Sequence, residues 1–313
     1  MEIELKVVGD GMTAVLPCGS VTLKWKRMAS AGTMEVFTPD LSVALRCGMQ
    51  IRLAVEGEDI FAGYIFTVER SHQGRIINAC DGMRYLLCRD TKVYTKVTAA
   101  AVVQDICGER GLALAGCEDN GKVIDSLIAD RKTLLDIISQ AIDQSVQLGG
   151  TKLTLFDDAG EIRLMREESL DTGLVLTGEN LLSAYTGSVD IGADTYNRIQ
   201  LVRKNRKTGS RQIFVKEDAE SIAKWGVLQY TGNVLQNTPE GEIQERLSAL
   251  LNEKNRAVSG LVLKAAGDIR CRAGFLIRVS LPEAEIDGQY RILTAEHRFR
   301  SGGYVMKLEC EAV

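Results

Sequence analysis

The sequence has no run approaching the roughly 20 apolar residues that a bilayer-spanning helix needs. Met1 to Val8 alternates charged and apolar side chains, with no basic segment followed by an apolar one of the kind that directs secretion. The expectation is a chain made and folded in the cytoplasm, with any later export occurring as part of a particle. Paired metal ligands are also missing. The eight cysteines (Cys18, Cys47, Cys80, Cys88, Cys107, Cys117, Cys271 and Cys310) form no CxxC, and the two histidines, His72 and His297, are far apart in sequence. Structural zinc sites place ligands in pairs at short spacing, so buried reduced thiols are expected instead. No GxxxxGK[ST], HExxH or GxSxG occurs. Aromatic residues make up only 5%. That counts against a carbohydrate-binding module, because sugars stack on exposed rings. The basic excess usual in nucleic-acid binders is absent as well, since 38 Lys and Arg stand against 42 Asp and Glu for a net charge of −4.

What is present is ordinary globular composition, 45% hydrophobic and 26% charged, in a chain of 313 residues. That length predicts two or three domains. Residues 2–90 read as β, since Glu2 to Val8, Val21 to Trp25 and Ile51 to Val55 alternate with period two. Asp10-Gly11 is a hairpin turn, and Phe61 to Arg70 returns through Arg75 to Cys80 around Gln73-Gly74. The period then changes. Thr98 caps a helix running to about Arg110, with Gly111 as its C-cap. Thr133 and Asp136 open a second helix, on which Leu134, Ile137, Ile138, Ala141 and Ile142 share a face before Gly149-Gly150. A hairpin from Lys152 to Met165 turns at Asp157-Asp158-Ala159-Gly160. From Leu181 the chain is β again. It is interrupted by a helix with Thr238 as N-cap, Pro239 at N1 and an apolar face of Ile243, Leu247, Leu250 and Leu251. Strands near 259–265, 275–281 and 289–299 follow, and Tyr304 to Cys310 returns after Ser301-Gly302-Gly303.

Residues 48–64 match 274–290 without a gap at an offset of 226, with five identities in seventeen positions: Gly48/Gly274, Ile51/Ile277, Arg52/Arg278, Ile60/Ile286 and Tyr64/Tyr290. After a one-residue slip, Thr67-Val68-Glu69 resembles Thr294-Ala295-Glu296, and both hairpins end at a cysteine, Cys80 and Cys310. Two readings stand: any two amphipathic hairpins look alike, or a β-barrel is duplicated at the two ends of the chain.

Candidate chemistry is sparse. Gly9-Asp10-Gly11 loosely echoes a dinucleotide fingerprint, but Met12 to Leu16 looks like a returning strand and not the helix such a site needs. His72 is expected to be solvated at a hairpin tip. His297 lies mid-strand beside Glu296, which points to the opposite face and is poorly placed to orient it. A glycosidase needs two carboxylates about 5–10 Å apart. The adjacent pairs are Asp157-Asp158, which reads as turn chemistry, and Glu167-Glu168, which reads as solvated. The densest charge is Arg203-Lys204-Asn205-Arg206-Lys207, with Arg211 after it. It reads first as a solvated loop, then as a protein contact, and last as a nucleic-acid contact, since no aromatics interleave to stack bases. No catalytic, cofactor-binding or metal-binding residue is assigned.

Several segments carry a resemblance. They are Tyr196-Asn197-Arg198-Ile199, Lys216-Glu217-Asp218 leading to Trp225-Gly226-Val227-Leu228-Gln229, the helix from Thr238 to Ala257, Gly288 to Ile292, and His297 to Glu309. In the first half they are the hairpin from Phe61 with Gly63, Asp81 to Leu87, and the helix from Thr98 through Cys107. Together they resemble the baseplate hub family of contractile phage tails, of the XkdQ-like and Mu-like type, over nearly the whole chain. The resemblance implies a mainly β, α+β protein without catalytic residues or cofactor. It would hold a tail-tube-like β-barrel at 1–92, a small α/β domain at 93–177, and a second barrel at 178–313 with a helical insertion around 238–257. It further implies a homotrimer joining the six-fold tail tube to the three-fold spike. The tape measure protein and a LysM-like baseplate protein would be further partners, with no specific nucleic-acid recognition and no membrane span. Such a subunit is assembled in the bacterial cytoplasm and then resides in the tail of a phage, prophage or phage-tail-like bacteriocin. A tail-associated peptidoglycan hydrolase is the alternative.

Overall fold

The computed structural model describes residues 2–313 apart from 10, 29, 40–41, 180–181, 193, 205–208, 235 and 237. Among expectations above, Asp10, Leu181 and Asn205 to Lys207 lie outside the described residues. The chain divides into two compact units, Met1–Thr186 with Leu261–Val313, and Gly187–Gly260.

The larger unit opens with seven strands: β1 (Ile3–Gly9), β2 (Met12–Leu16), β3 (Ser20–Lys26), β4 (Thr33–Thr38), β5 (Gln50–Val55), β6 (Glu58–Ser71) and β7 (Gly74–Cys80). Period-two alternation turns Leu5, Val7, Leu23, Val36, Ile51, Leu53 and Ile77 inward, where all are buried. A helical module follows: β8 (Arg89–Thr98), α1 (Ala99–Arg110), β9 (Leu114–Cys117), β10 (Val123–Thr133), α2 (Leu134–Gln147), β11 (Leu153–Asp158) and β12 (Glu161–Arg166). The caps fall where local chemistry places them. The Thr98 side chain accepts from the Ala101 N–H, Gly111 is left-handed at φ 64°, and Thr133 with Asp136 forms a full capping box. The expected face of α2 is buried from Leu134 through Ile142.

Next come β13 (Asp171–Thr177) and β14 (Leu182–Asp190). The smaller unit continues with β15 (Arg198–Lys204), β16 (Arg211–Glu217), α3 (Ala219–Trp225), β17 (Gln229–Val234) and α4 (Glu240–Lys254). Its sheet runs β16-β15-β17. Its core is Ile199, Leu201 and Val234 against Ile243, Leu247, Leu250 and Leu251 of α4. This helix begins one residue later than its sequence suggests. Pro239 is extended at φ −59° and ψ 148° and stands outside the helix, and no side chain caps it. The Thr238 carbonyl instead accepts from Arg203.

The chain then completes the larger unit with β18 (Val258–Ala266), β19 (Leu276–Leu281), β20 (Ile286–Arg300) and β21 (Gly303–Ala312). The main sheet is 13-stranded, in the order β14-β18-β21-β20-β3-β4-β7-β6-β5-β1-β2, with β19 on β20 and β13 on β19. No closed barrel is found among the described strands, in contrast to the expectation of one at each end. The ladder instead continues from one terminal region to the other through β3 and β20, which pair antiparallel from Ser20↔Arg300 to Lys26↔Thr294. The inner side chains of both regions meet in one cluster, in which Leu23, Val36 and Ile51 pack with Leu263, Ile277, Phe299 and Leu308.

The internal match has a structural counterpart. Gly48 and Gly274 both have positive φ, 88° and 95°. Each donates its N–H to the carbonyl of an isoleucine, Ile65 at 2.8 Å and Ile292 at 2.7 Å. Both returning strands then bulge, β6 between Ile65 and Thr67 and β20 between Ile292 and Thr294. An arginine on the first strand meets an aspartate on the second in both, Arg52–Asp59 and Arg278–Asp287. The ladder moves the one-residue slip. Gln50 faces Tyr64 while Leu276 faces Arg291, so Tyr64 corresponds to Arg291 and not to Tyr290. By the same registers Cys80 corresponds to Glu311, and Cys310 to Ala79. At the other hairpin tip the turn residues are His72 and Gln73, because Ser71 pairs with Gly74.

One buried ion network ties these elements together. Arg291 on β20 forks onto both carboxylate oxygens of Glu167 and also meets Glu311 on β21. Arg27, just past β3, reaches Glu167 at 3.7 Å. Glu167 is therefore buried, and not solvated as its sequence position suggests, whereas its neighbour Glu168 is exposed. Removing Glu167 takes away the carboxylate that Arg291 and Arg27 share and leaves the buried Arg291 with Glu311 alone. Glu167→Ala should lower unfolding free energy by about 3–5 kcal/mol, and an exposed control, Glu168→Ala, should shift it by less than about 0.5 kcal/mol; chemical denaturation of the two variants checks both.

Candidate functional site

The concavity of the larger unit with the most chemistry is a groove of about 440 Å³. Trp25 of β3, Phe156 of β11 and Phe275 form its apolar wall, with Glu58, Asp59 and Asp171 among its acidic lining. Arg272 crosses it. Its guanidinium lies 5.2 Å from the Trp25 ring centroid and 5.6 Å from that of Phe156. It donates to Asp158 at 2.7 Å and to the Asp157 carbonyl. Asp158 also meets Arg163 at 2.9 Å. The arginine is thus held by aromatic faces on one side and by acceptors on the other.

Two acids stand close to this arrangement, and both are buried: Asp81 is 2% and Asp157 4% exposed. Desolvation, reinforced for Asp81 by the neighbouring Asp157, pushes both carboxyls above the usual range. Such a pair is the pattern that marks a hydrolase, yet here all four oxygens accept backbone N–H groups. Asp81 takes those of Gly32 at 2.9 Å and Met83 at 3.1 Å. Asp157 takes those of Gly160 at 2.7 Å and Gly82 at 3.0 Å. The turn reading of Asp157 accounts for the Gly160 contact. The Gly82 contact fastens the helical module to the end of β7, and nothing in the sequence near Asp157 signals it. The arrangement holds backbone segments in place and presents no free carboxylate pair.

His297 lies at the floor of the groove, 1% exposed, with Glu296 on the other face paired to Arg298, as strand geometry requires. Its Nδ1 is 2.6 Å from the Tyr304 hydroxyl and its Nε2 2.7 Å from the Cys271 carbonyl, so both ring nitrogens are engaged. The Trp25 ring meets it edge-on at 5.5 Å. Burial, with a small addition from Arg272, lowers its pKa to about 4. His72 is exposed at the tip of the β6–β7 turn.

The cysteines are all free. Cys107, Cys271 and Cys310 are buried and Cys18, Cys80 and Cys117 half-buried, but Cys47 and Cys88 are exposed, against the expectation of burial throughout. No group of His, Cys, Asp and Glu able to hold a metal ion occurs among the described residues, nor does a helix long and apolar enough to cross a membrane. In the basic loop Arg203 is not a free solvated tip. It donates to Gln212, Thr238 and Glu240, with its guanidinium 5.1 Å from the Phe214 centroid, and so fastens the start of α4.

The YQBQ-like family model matches residues 21–311. The chain belongs to the YQBQ-like family. It is 26% identical to the phage-like element PBSX protein XkdQ of Bacillus subtilis over 322 residues, which covers 98% of this chain and 96% of that protein. Among solved structures, the 43 kDa tail protein of prophage MuSo2 from Shewanella oneidensis shares the fold at a TM-score of 0.71 and 12% identity, covering 98% of both chains. An E. coli component of the type VI secretion system, described as structurally similar to the T4 bacteriophage tail proteins gp27 and gp5, matches at 0.60 and 12% identity over 99% of this chain and 76% of that one. This family member therefore has the fold of phage tail proteins.

The buried imidazole makes the fold acid-sensitive in a defined window. A base whose pKa drops from 6.5 to about 4 on folding contributes stability that is whole above the unfolded value and is lost as pH falls from about 6.5 toward 4, by about 3 kcal/mol. Asp81 and Asp157, raised in the native state, act in the opposite sense, so the contrast with a variant isolates the histidine. Urea unfolding of the wild type and His297→Asn at pH 7 and pH 4.5 should show the wild type losing about 2 kcal/mol more than the variant across that interval.

Proposed function

We propose that this chain is a structural baseplate hub subunit of a contractile tail, in a phage, a prophage or a phage-tail-like bacteriocin. Three copies form a ring that joins the six-fold tail tube to the three-fold spike. The observation that carries this reading is the repeated ladder in one chain, with matched glycines, bulges and arginine–aspartate pairs in β5–β6 and β19–β20. Two similar β regions per subunit give a trimer six similar faces around one axis, a geometric route to meeting a six-fold partner. Membership of the YQBQ-like family and the fold shared with phage tail proteins support it. In this reading the terminal regions, 1–92 and 178–313, present two similar tube-facing β ladders about the helical module at 93–177. The partners are the tail tube, the tape measure protein, a LysM-like baseplate protein and the spike. The subunit assembles in the bacterial cytoplasm and ends in the baseplate.

The same reading makes the chain non-enzymatic. The buried acid pair and the buried histidine are satisfied by backbone and hydroxyl groups, which supports scaffolding over peptidoglycan hydrolysis. Size-exclusion chromatography with light scattering, on the protein alone and with its tube and spike proteins, should give a trimer mass and a stable complex with each. A chain that stays monomeric and joins neither partner overturns the proposal, as does clearing of a peptidoglycan zymogram by the pure protein.

A further inference from the structure

The two halves of the main sheet run through the same ladder. One half is β3-β4-β7-β6-β5-β1; the other is β14-β18-β21-β20-β19-β13. The strands also follow one another along the chain in the same sequence, and the smaller unit occupies the place of the β3–β4 turn. The correspondence departs at its last member, since β1 pairs antiparallel with β5 and β13 parallel with β19.

Within the chain the halves are joined through β3, which lies along the far part of β20 beyond its bulge, seven residues to seven from Thr294 to Arg300. Advanced by one half, the same join has two members. One is β14, the counterpart of β3. The other is the far part of β6 beyond its own bulge, Thr67–Ser71, the counterpart of Thr294–Arg298. Among the described residues both have an open edge. The strand neighbour of β14 is β18 alone, and beyond Phe66 the strand β6 pairs only with β7. The carbonyls agree: that of Leu293 accepts the Arg27 N–H at 2.8 Å, whereas that of its counterpart Phe66 meets the Cys47 thiol at 3.1 Å. Thr67, Glu69, Arg70 and Ser71 are exposed, and Leu182–Thr186, the part of β14 within the larger unit, contains neither charge nor proline. Soluble proteins normally blunt an edge with one of these.

We infer that Leu182–Thr186 of one copy pairs antiparallel with Thr67–Ser71 of the next, repeating between chains the join that β3 and β20 make within one. This rests on the trimer reading above. The contact is heterologous, one edge meeting a different edge, so copies follow one another around an axis and close a ring. Joins within and between chains then alternate around it.

Hydrogen–deuterium exchange on the full chain, in monomer and trimer fractions sized by light scattering, tests the pairing. The trimer should slow exchange roughly tenfold or more in both 67–71 and 182–186. A trimer in which neither segment gains protection overturns the pairing and leaves the trimer intact; a chain monomeric under all conditions sinks the trimer reading and the pairing with it. Glu69→Pro and Arg70→Pro supply a second arm. Neighbouring residues of a strand turn their N–H groups to opposite edges, so one variant spares the β6–β7 ladder and keeps the wild-type melting temperature. That variant should remain monomeric; if it trimerises as the wild type does, the pairing is wrong.

Discussion

The antiparallel join of β3 to β20 is the constraint on which the rest of the larger unit depends. It brings residues about 270 positions apart into register, Ser20 against Arg300 and Lys26 against Thr294, and so aligns the inner faces of the two terminal regions over one hydrophobic cluster. A slip of one residue there would turn Leu23 away from the core together with every partner on that strand. The groove, the buried histidine and the cross-over of Arg272 onto Trp25 all lie along this seam, because the seam is where β3, β20 and the helical module converge.

Much of this was legible in the sequence where the governing interaction is local. The caps at Thr98, Gly111 and Thr133 lie within a few residues of the groups they satisfy, and the apolar faces of α2 and α4 follow a fixed period, so both appear as read. Period-two patterning located the terminal strands but could not fix their register. A one-residue slip inside a hairpin preserves the look of the sequence, which is why Tyr64 aligned with Tyr290 although the ladder sets it against Arg291. The Thr238-Pro239 start of α4 read as an N-cap followed by N1, but the proline is extended and stands outside the helix, and the Thr238 carbonyl is taken by Arg203 from β15.

What stayed hidden depends on distant partners. Glu167 looked solvated because Arg291, which buries it, lies 124 residues further on. Asp157 looked like a turn residue because its contact to Gly82 spans 75 residues. The ribbon of β8 and β10 left little trace for a similar reason: its strands pair across α1 and carry many exposed positions, so the alternation that marks a half-buried strand is weak. The barrels failed to appear as closed bodies because closure is a property of which edges meet, and a strand's composition does not record its neighbour.

The Arg291–Glu167 fork has one more effect. Dissolved ions weaken charge pairs through the water between and around them, over a screening distance of roughly 8–10 Å at ordinary salt. Pairs such as Arg52–Asp59, about half exposed on each side, sit in that medium and loosen as ionic strength rises. The Arg291 and Glu167 side chains, at 5% and 8% exposure, admit almost none of it. The clasp between the helical module and the C-terminal strands therefore holds in brine as it does in dilute buffer.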